Sequence, residues 1–290
     1  MLNCRLFLYF NVFATLILPA VAGAHEFAAR LDVAQWQLEP SPLQCRLLQL
    51  VPSYGKATFE KKSGESLNFY LDSDRAAVYK GESQLKIIAP EWRPGISERH
   101  LGTANTQKGH RPLTLGEGWA NRFIDELKVG MSPAIQLVGW YKGHLQEVAL
   151  STVNFQDAYA GYLSCLGDLF PANYQQLKNT KFIFKTNKWG LSQEFKNKLD
   201  LIAGYVALDT DVEKIYIDGH TDSVGRRGHN WELSRLRSVT VQKYLEYKGV
   251  EPDRIVMRYH GELRPLVKNT SKRNRSKNRR VFINLYKPHA

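Results

Sequence analysis

Cysteine is scarce, with three in 290 residues. None sits in a C-x-x-C or C-x-x-H spacing, which removes the usual zinc sites and the disulfide-dense miniproteins. No G-x-S-x-G, H-E-x-x-H or Walker loop occurs, so the familiar hydrolase, zinc-protease and nucleotide-binding signatures are missing. After residue 24 no apolar run is long enough to span a bilayer. Acidic residues are absent from the whole stretch between Arg264 and Arg280, and so are aromatics. What is present is a chain with 43% hydrophobic and 23% charged residues, enough to bury real cores, and a net charge of +12. That composition excludes a disordered tail and a collagen-like fibre.

The first 24 residues set the compartment. Arg5 is followed by a mostly apolar run, Leu6 to Leu18, and by Ala22-Gly23-Ala24. This layout predicts a cleaved secretory signal peptide over residues 1–24, with a membrane anchor as the competing reading. Cys4 leaves with that segment, and no lipobox cysteine is present. Two cysteines remain, Cys45 and Cys165. Buried free thiols are one reading of them; an oxidising compartment favours the other, a single structural disulfide.

The charge divides the chain near residue 170. Residues 25–170 hold 15 Lys+Arg against 16 Asp+Glu, whereas residues 171–290 hold 24 against 12. We therefore expect an α+β protein of two domains, 25–170 and 171–290. In the first, alternating or β-rich runs at 35–38, 45–51, 56–60, 66–71, 84–89, 135–141 and 145–151 predict strands. Helices are expected over 116–128, with Trp119, Phe123 and Leu127 on one face, and over 156–168. Trp36, Trp92, Trp119 and Trp140 all fall in this β-rich half.

The second half alternates more cleanly. Strands are expected near 181–186, 214–218, 254–259 and 280–286, with helices over 192–205 and 230–247. The order βαβαββ predicts a two-layer α/β sandwich. Asn230 reads as the cap of the second helix and Gly249 as its stop.

The stretch GHTDSVGRRGHNWELSRLR, residues 219–237, carries the chemistry. A strand delivers Asp222 into a glycine-bearing loop. Arg237 lies two helical turns beyond Asn230, on the same face, and can point back at that loop. An acid and a guanidinium meeting in one pocket can hold a zwitterion's ammonium and carboxylate, or can simply pair with each other. Spacing leaves both readings open.

GHTD followed by N-x-x-L-S-x-x-R resembles the OmpA-like peptidoglycan-binding domain. The likeness runs from about Thr180 to Tyr286 and includes Gly261-Glu262-Leu263-Arg264-Pro265 and Asn278-Arg279-Arg280-Val281. It implies that Asp222 and Arg237 grip the amine and carboxylate of meso-diaminopimelate. It also carries Asn187, Thr221, Asn230, Leu233 and Arg280 to the pocket wall. Either charged residue should then be removable with loss of wall binding and an intact fold. Ser238, Lys185 and His260 depart from the common pattern, which has Ala, an acid and Gly there.

The N-terminal half, through LQCRLLQLVPSYGKATF, EWRPG and VALSTVNFQ…YLSC, resembles the MotY family of flagellar motor proteins. That resemblance implies a periplasmic component of the T ring around the basal body. Its N-terminal domain would associate with the basal body, MotX and the stator B subunit, and its C-terminal domain would anchor the assembly to peptidoglycan. The alternative is a generic OmpA-like envelope protein that tethers another complex to the wall.

No cofactor or metal is expected: His220 and Asp222, with His229 and His260, give no third ligand at a diagnostic spacing. Catalysis is not expected either, since one acid beside an Arg lacks an acid–base partner. The basic stretch 264–280 reads as a solvated loop or as a contact for acidic wall polymers or lipid head groups. Nucleic acid is not an expected partner, because the chain is exported and this stretch offers no stacking aromatics.

Overall fold

The computed structural model describes residues 25–90, 92–139 and 144–288. The expected leader over 1–24 and Trp140 lie outside the described residues. In chain order, the part before Phe170 consists of β1 (His25–Ala28), β2 (Trp36–Ser41), β3 (Gln44–Val51), β4 (Gly55–Lys62), β5 (Asn68–Ser73) and β6 (Gly81–Ile88). There follow β7 (Arg99–Thr106), β8 (Leu113–Leu115), α1 (Glu117–Lys128), β9 (Ser132–Val138), β10 (Leu145–Ala149) and α2 (Phe155–Gly167). They form two sheets, β1-β10-β9-β6-β7 and β2-β3-β4-β5-β8.

One hydrophobic core joins both sheets and both helices. The strand alternation is what builds it: β3 turns Cys45 and Leu47 inward, and β4 turns Ala57 and Phe59 inward beside them. From α1, Ala120, Phe123, Ile124 and Leu127 face the core at three- and four-residue spacing. Trp36 stacks on Phe59 at 6.0 Å, meets Phe155 edge-on at 5.1 Å, and donates its indole N–H to the Ser151 carbonyl at 2.8 Å. Trp92, by contrast, is exposed. The expected disulfide forms between Cys45 on β3 and Cys165 on α2, with Cα atoms 6.0 Å apart, and both residues are buried.

Three strands of this half escaped the pattern reading. β1 and β8 are only 4 and 3 residues long, and β7 has no fully buried residue and only Leu101 and Ala104 as apolar side chains to betray it.

The remainder comprises α3 (Tyr174–Leu177), β11 (Asn179–Ile183), α4 (Gln193–Leu208), β12 (Lys214–Gly219), α5 (Arg227–Tyr247), β13 (Ile255–Tyr259), α6 (Lys272–Asn278) and β14 (Arg280–Tyr286). Its sheet runs β11-β14-β12-β13. Only the β12–β13 pair is parallel, as a helical crossover through α5 requires. A second hydrophobic core fills the space between this sheet and helices α4 and α5. The two cores lie on either side of the 166–171 stretch. Phe170 donates its backbone N–H to the Pro42 carbonyl at 2.8 Å, and Leu43 packs against the second core.

Two expectations for this part need correction. The helix expected to start at Asn230 starts at Arg227. Asn230 is buried within its first turns, and its amide donates to Glu262; its polarity serves a tertiary contact instead of a cap. The basic stretch 264–280 is not a plain solvated loop either, because α6 occupies 272–278.

Candidate functional site

β12 ends against α5. A Cβ on Gly219 would fall 2.3 Å from the Ser234 carbonyl oxygen and 2.4 Å from Ser238 Oγ, so only glycine lets strand and helix approach this closely. The chain then leaves the sheet as His220-Thr221-Asp222. Backbone bonds pin it there: His220 N–H to the Arg280 carbonyl at 2.9 Å, and Thr221 N–H to the Gly261 carbonyl at 2.8 Å. Asp222 is fixed by its own loop, accepting the Val224 N–H at 3.1 Å.

Over this loop lies a cavity of about 190 Å³. Six of the seven expected residues line it: Asn187, Thr221, Asp222, Asn230, Leu233 and Arg237. Asn187 adopts a left-handed backbone (φ 54°) and its Oδ1 lies 2.9 Å from His229 Nε2. Asn230, Leu233 and Arg237 share the buried face of α5, as their spacing requires. The Thr221 hydroxyl is buried without a hydrogen-bond partner among the described residues.

The seventh residue, Arg280, is absent from the lining. Its guanidinium bonds the Asn278 and Arg264 carbonyls at 3.4 and 3.2 Å, away from the cavity. Arg279 stands at the cavity instead, donating to Asp222 Oδ2 at 3.0 Å and to the Phe184 carbonyl at 3.1 Å. Neighbouring residues of an extended chain face opposite ways, so the pair Arg279-Arg280 can offer only one member to each side. A motif read as text cannot say which.

Asp222 and Arg237 do not pair with each other. The Asp222 carboxylate pairs with Arg279. Arg237 has no exposed surface and spends three N–H groups on backbone carbonyls: Lys188 at 2.9 Å, His220 at 2.9 Å and Lys185 at 3.2 Å. Burial, together with the neighbouring Arg279, lowers the Arg237 guanidinium to about 10, against the pull of Asp222. It remains charged at neutral pH. A guanidinium has five donors, so two are left for an incoming acceptor.

Behind the loop, the His220 and His260 rings stack at 4.8 Å, and His260 Nε2 meets Asp218 Oδ1 at 2.8 Å. Asp218 is also gripped by both arms of Arg258, at 2.8 and 2.7 Å. Burial, with Arg280 second, holds the His220 imidazole at about 3 instead of 6.5. The unfolded chain thus takes up a proton near pH 6.5 that the folded protein refuses until about pH 3. Stability held at neutral pH is therefore lost as pH falls through that window, at up to roughly 1.4 kcal/mol per unit. Denaturant unfolding of the wild type and His220→Gln between pH 7 and 4 checks this; the variant is expected to lose less stability, and parallel curves would refute it.

Among the described residues, no group of three or more His, Cys, Asp or Glu side chains is arranged to hold a metal ion. No described helix is long and apolar enough to cross a membrane.

Comparison with known proteins agrees with this two-part architecture. Residues 27–171 match the MotY N-terminal domain family, and residues 183–279 match the OmpA family. The sodium-type flagellar protein MotY of Vibrio parahaemolyticus is 28% identical over 271 residues, 92% of each chain. The peptidoglycan-associated lipoprotein of Haemophilus influenzae is 31% identical over 163 residues, covering 56% of this chain and 98% of that one. Among solved structures, the C-terminal domain of Helicobacter pylori MotB aligns over 38% of this chain and 86% of its own, with 26% identity and a TM-score of 0.36. The match to the MotY N-terminal domain spans half of the chain, and an OmpA-like domain follows it: the chain belongs to the MotY family.

Proposed function

We propose that this protein is a non-enzymatic, periplasmic component of the flagellar motor's T ring, fastening stator and basal body to the cell wall. Residues 171–290 bind peptidoglycan through the meso-diaminopimelate of its stem peptides. Residues 25–170 associate with the basal body, MotX and the stator B subunit. The observation that carries the reading is the cavity lined by both Asp222 and Arg237 without a bond between them. A ligand bearing an ammonium and a carboxylate on one carbon finds an acceptor and a donor there, inside a site dry enough for both contacts to count. Arg279 takes one position on Asp222, and a carboxylate has further lone pairs for the ligand amine. The names of the relatives, a flagellar protein along the whole chain and a peptidoglycan-associated lipoprotein along the second half, support the same division of labour.

Asp222→Asn tests this at one atom. Removing the charge is expected to weaken co-sedimentation with purified sacculi by about 30- to 100-fold, the worth of a charge-assisted contact of about 2–3 kcal/mol. Asparagine keeps an oxygen for the Val224 N–H but loses the Arg279 ion pair, so melting is expected to fall somewhat and binding is compared at a temperature where both proteins are folded. Cells carrying the variant should be flagellated but swim poorly. Undiminished co-sedimentation would sink the assignment.

A further inference from the structure

α6 displays a concentration of positive charge that the cavity does not account for. Lys272, Arg273 and Lys277 are exposed on it, and Lys181 is exposed on the adjoining strand β11. None of the four forms an ion pair among the described residues. Lys277, with Arg275, sits in the last turn, where the helix dipole favours cations, but the other two exposed cations of α6 do not. Lys272 and Arg273 occupy the first turn, the end at which the helix dipole disfavours cations. Arg273 and Lys277 are like charges four residues apart, which also weakens a helix.

The fold nevertheless holds this segment firmly. Ser271 Oγ accepts the Asn274 N–H at 3.1 Å at one end. At the other, Asn278 has no exposed surface. It accepts the Leu266 and Val267 N–H groups at 2.8 and 3.1 Å and donates to the Val267 carbonyl and Asn269 Oδ1 at 2.8 and 2.7 Å. The structure thus holds Lys272, Arg273 and Lys277 together on one short helix with no acidic partner among the described residues. It calls for an external anion.

The position of the display says which one. Lys272, Arg273, Lys277, Ile183 and Arg279 line an open hollow of about 650 Å³. Arg279 is also the residue paired with Asp222 at the rim of the smaller cavity. Hollow and cavity therefore adjoin across one side chain. We propose that the α6 hollow is a second, electrostatic contact for the same peptidoglycan strand, meeting the free carboxylates of stem peptides beside the one held in the cavity. This rests on the reading of the cavity given above. A polymer that repeats its carboxylates can fill both sites at once, and the second raises capture rate and avidity without adding selectivity.

The experiment uses the purified full chain with the triple charge reversal Lys272→Glu, Arg273→Glu, Lys277→Glu, which leaves Ser271 and Asn278 in place. A Gln triple serves as its neutral counterpart. Affinity for sacculi is measured across a series of NaCl concentrations, and affinity for the free tripeptide L-Ala-γ-D-Glu-meso-diaminopimelate by calorimetry. Reversal should weaken sacculus binding about tenfold at low salt and flatten its salt dependence, as expected for exposed, screened charges. The Gln triple should fall between, and tripeptide affinity should hold within about twofold. Sacculus binding by the reversed protein that matches the wild type at every salt concentration overturns the proposal. If the tripeptide binds neither protein, the cavity reading fails, and the salt series still decides the hollow. Vesicles of equal phosphatidylcholine and phosphatidylglycerol provide the last arm. Wild-type binding to them that the reversal abolishes, with sacculus affinity unchanged, assigns the hollow to lipid head groups and overturns the proposal as well.

Discussion

Replacing Cys45 and Cys165 together by alanine is expected to lower unfolding free energy by about 4–5 kcal/mol, the chain-entropy value for a loop of this size. The disulfide closes 120 residues, from β3 to α2, and that loop contains most of both N-terminal sheets. Alanine is the informative choice because a serine hydroxyl at buried Cys45 would add its own penalty for lacking a partner. Chemical denaturation of the oxidised wild type, the reduced wild type and the double variant measures the effect. The last two should coincide. A midpoint unchanged by reduction and by mutation would show that α2 stays docked on β2 and β3 through packing alone.

Arg237→Ala is expected to cost about 3–5 kcal/mol, because it strips three carbonyls of their donor within a water-poor site. It sets Arg237 apart from Asp222, which the sequence alone treats as an equivalent lever. Arg237 ties the 185–188 loop to the start of the 220–222 loop, so removing it should open both. Arg237→Lys keeps the charge but loses the planar fork, and should recover only part of the stability. Hydrogen exchange at residues 185–188 and 220–222 is the direct readout, expected to accelerate in both variants. Unchanged protection would mean the loops hold themselves. Loss of wall binding in an Arg237 variant is consequently weak evidence about ligand contact, whereas the same loss in Asp222→Asn, which gives up one ion pair and keeps the Val224 contact, is stronger.

The sequence disclosed β11 to β14, α4 and α5 within a few residues, because α4 carries apolar residues at helical spacing and β12 and β14 turn alternate apolar residues into the core. It also located six of the cavity residues, since a strand, a tight loop and a helix face fix their relation locally. Its failures have physical causes. Nothing local distinguishes Arg279 from Arg280; the difference comes from where α6 hands over to β14. Asn230 has the chemistry of a cap, but its partner, Glu262, lies 32 residues away. α6 is polar throughout and held by Asn278, a tertiary anchor with no periodic signature. β7 is an edge strand that offers the core only half-buried Leu101 and Ala104. The net charge was legible as a property of one half and its densest run as 264–280, but that part of this run forms a short helix beside the cavity was not.

The order β11-β14-β12-β13 has a consequence in time. β14, the last strand in chain order, lies between β11 and β12. Until it arrives, β11 has no neighbour, β12 lacks one edge, and Val281, Ile283 and Leu285 are missing from the core. The backbone of Arg280 also supplies the acceptor for the His220 N–H, so the loop bearing Asp222 is not fixed before then. The grip is thus assembled by residues that emerge roughly a hundred positions after the strand they complete. Folding of this half must wait on a long-range closure that is intrinsically slow. A chain cut short before residue 280 would forfeit the site entirely while keeping almost every residue that lines it.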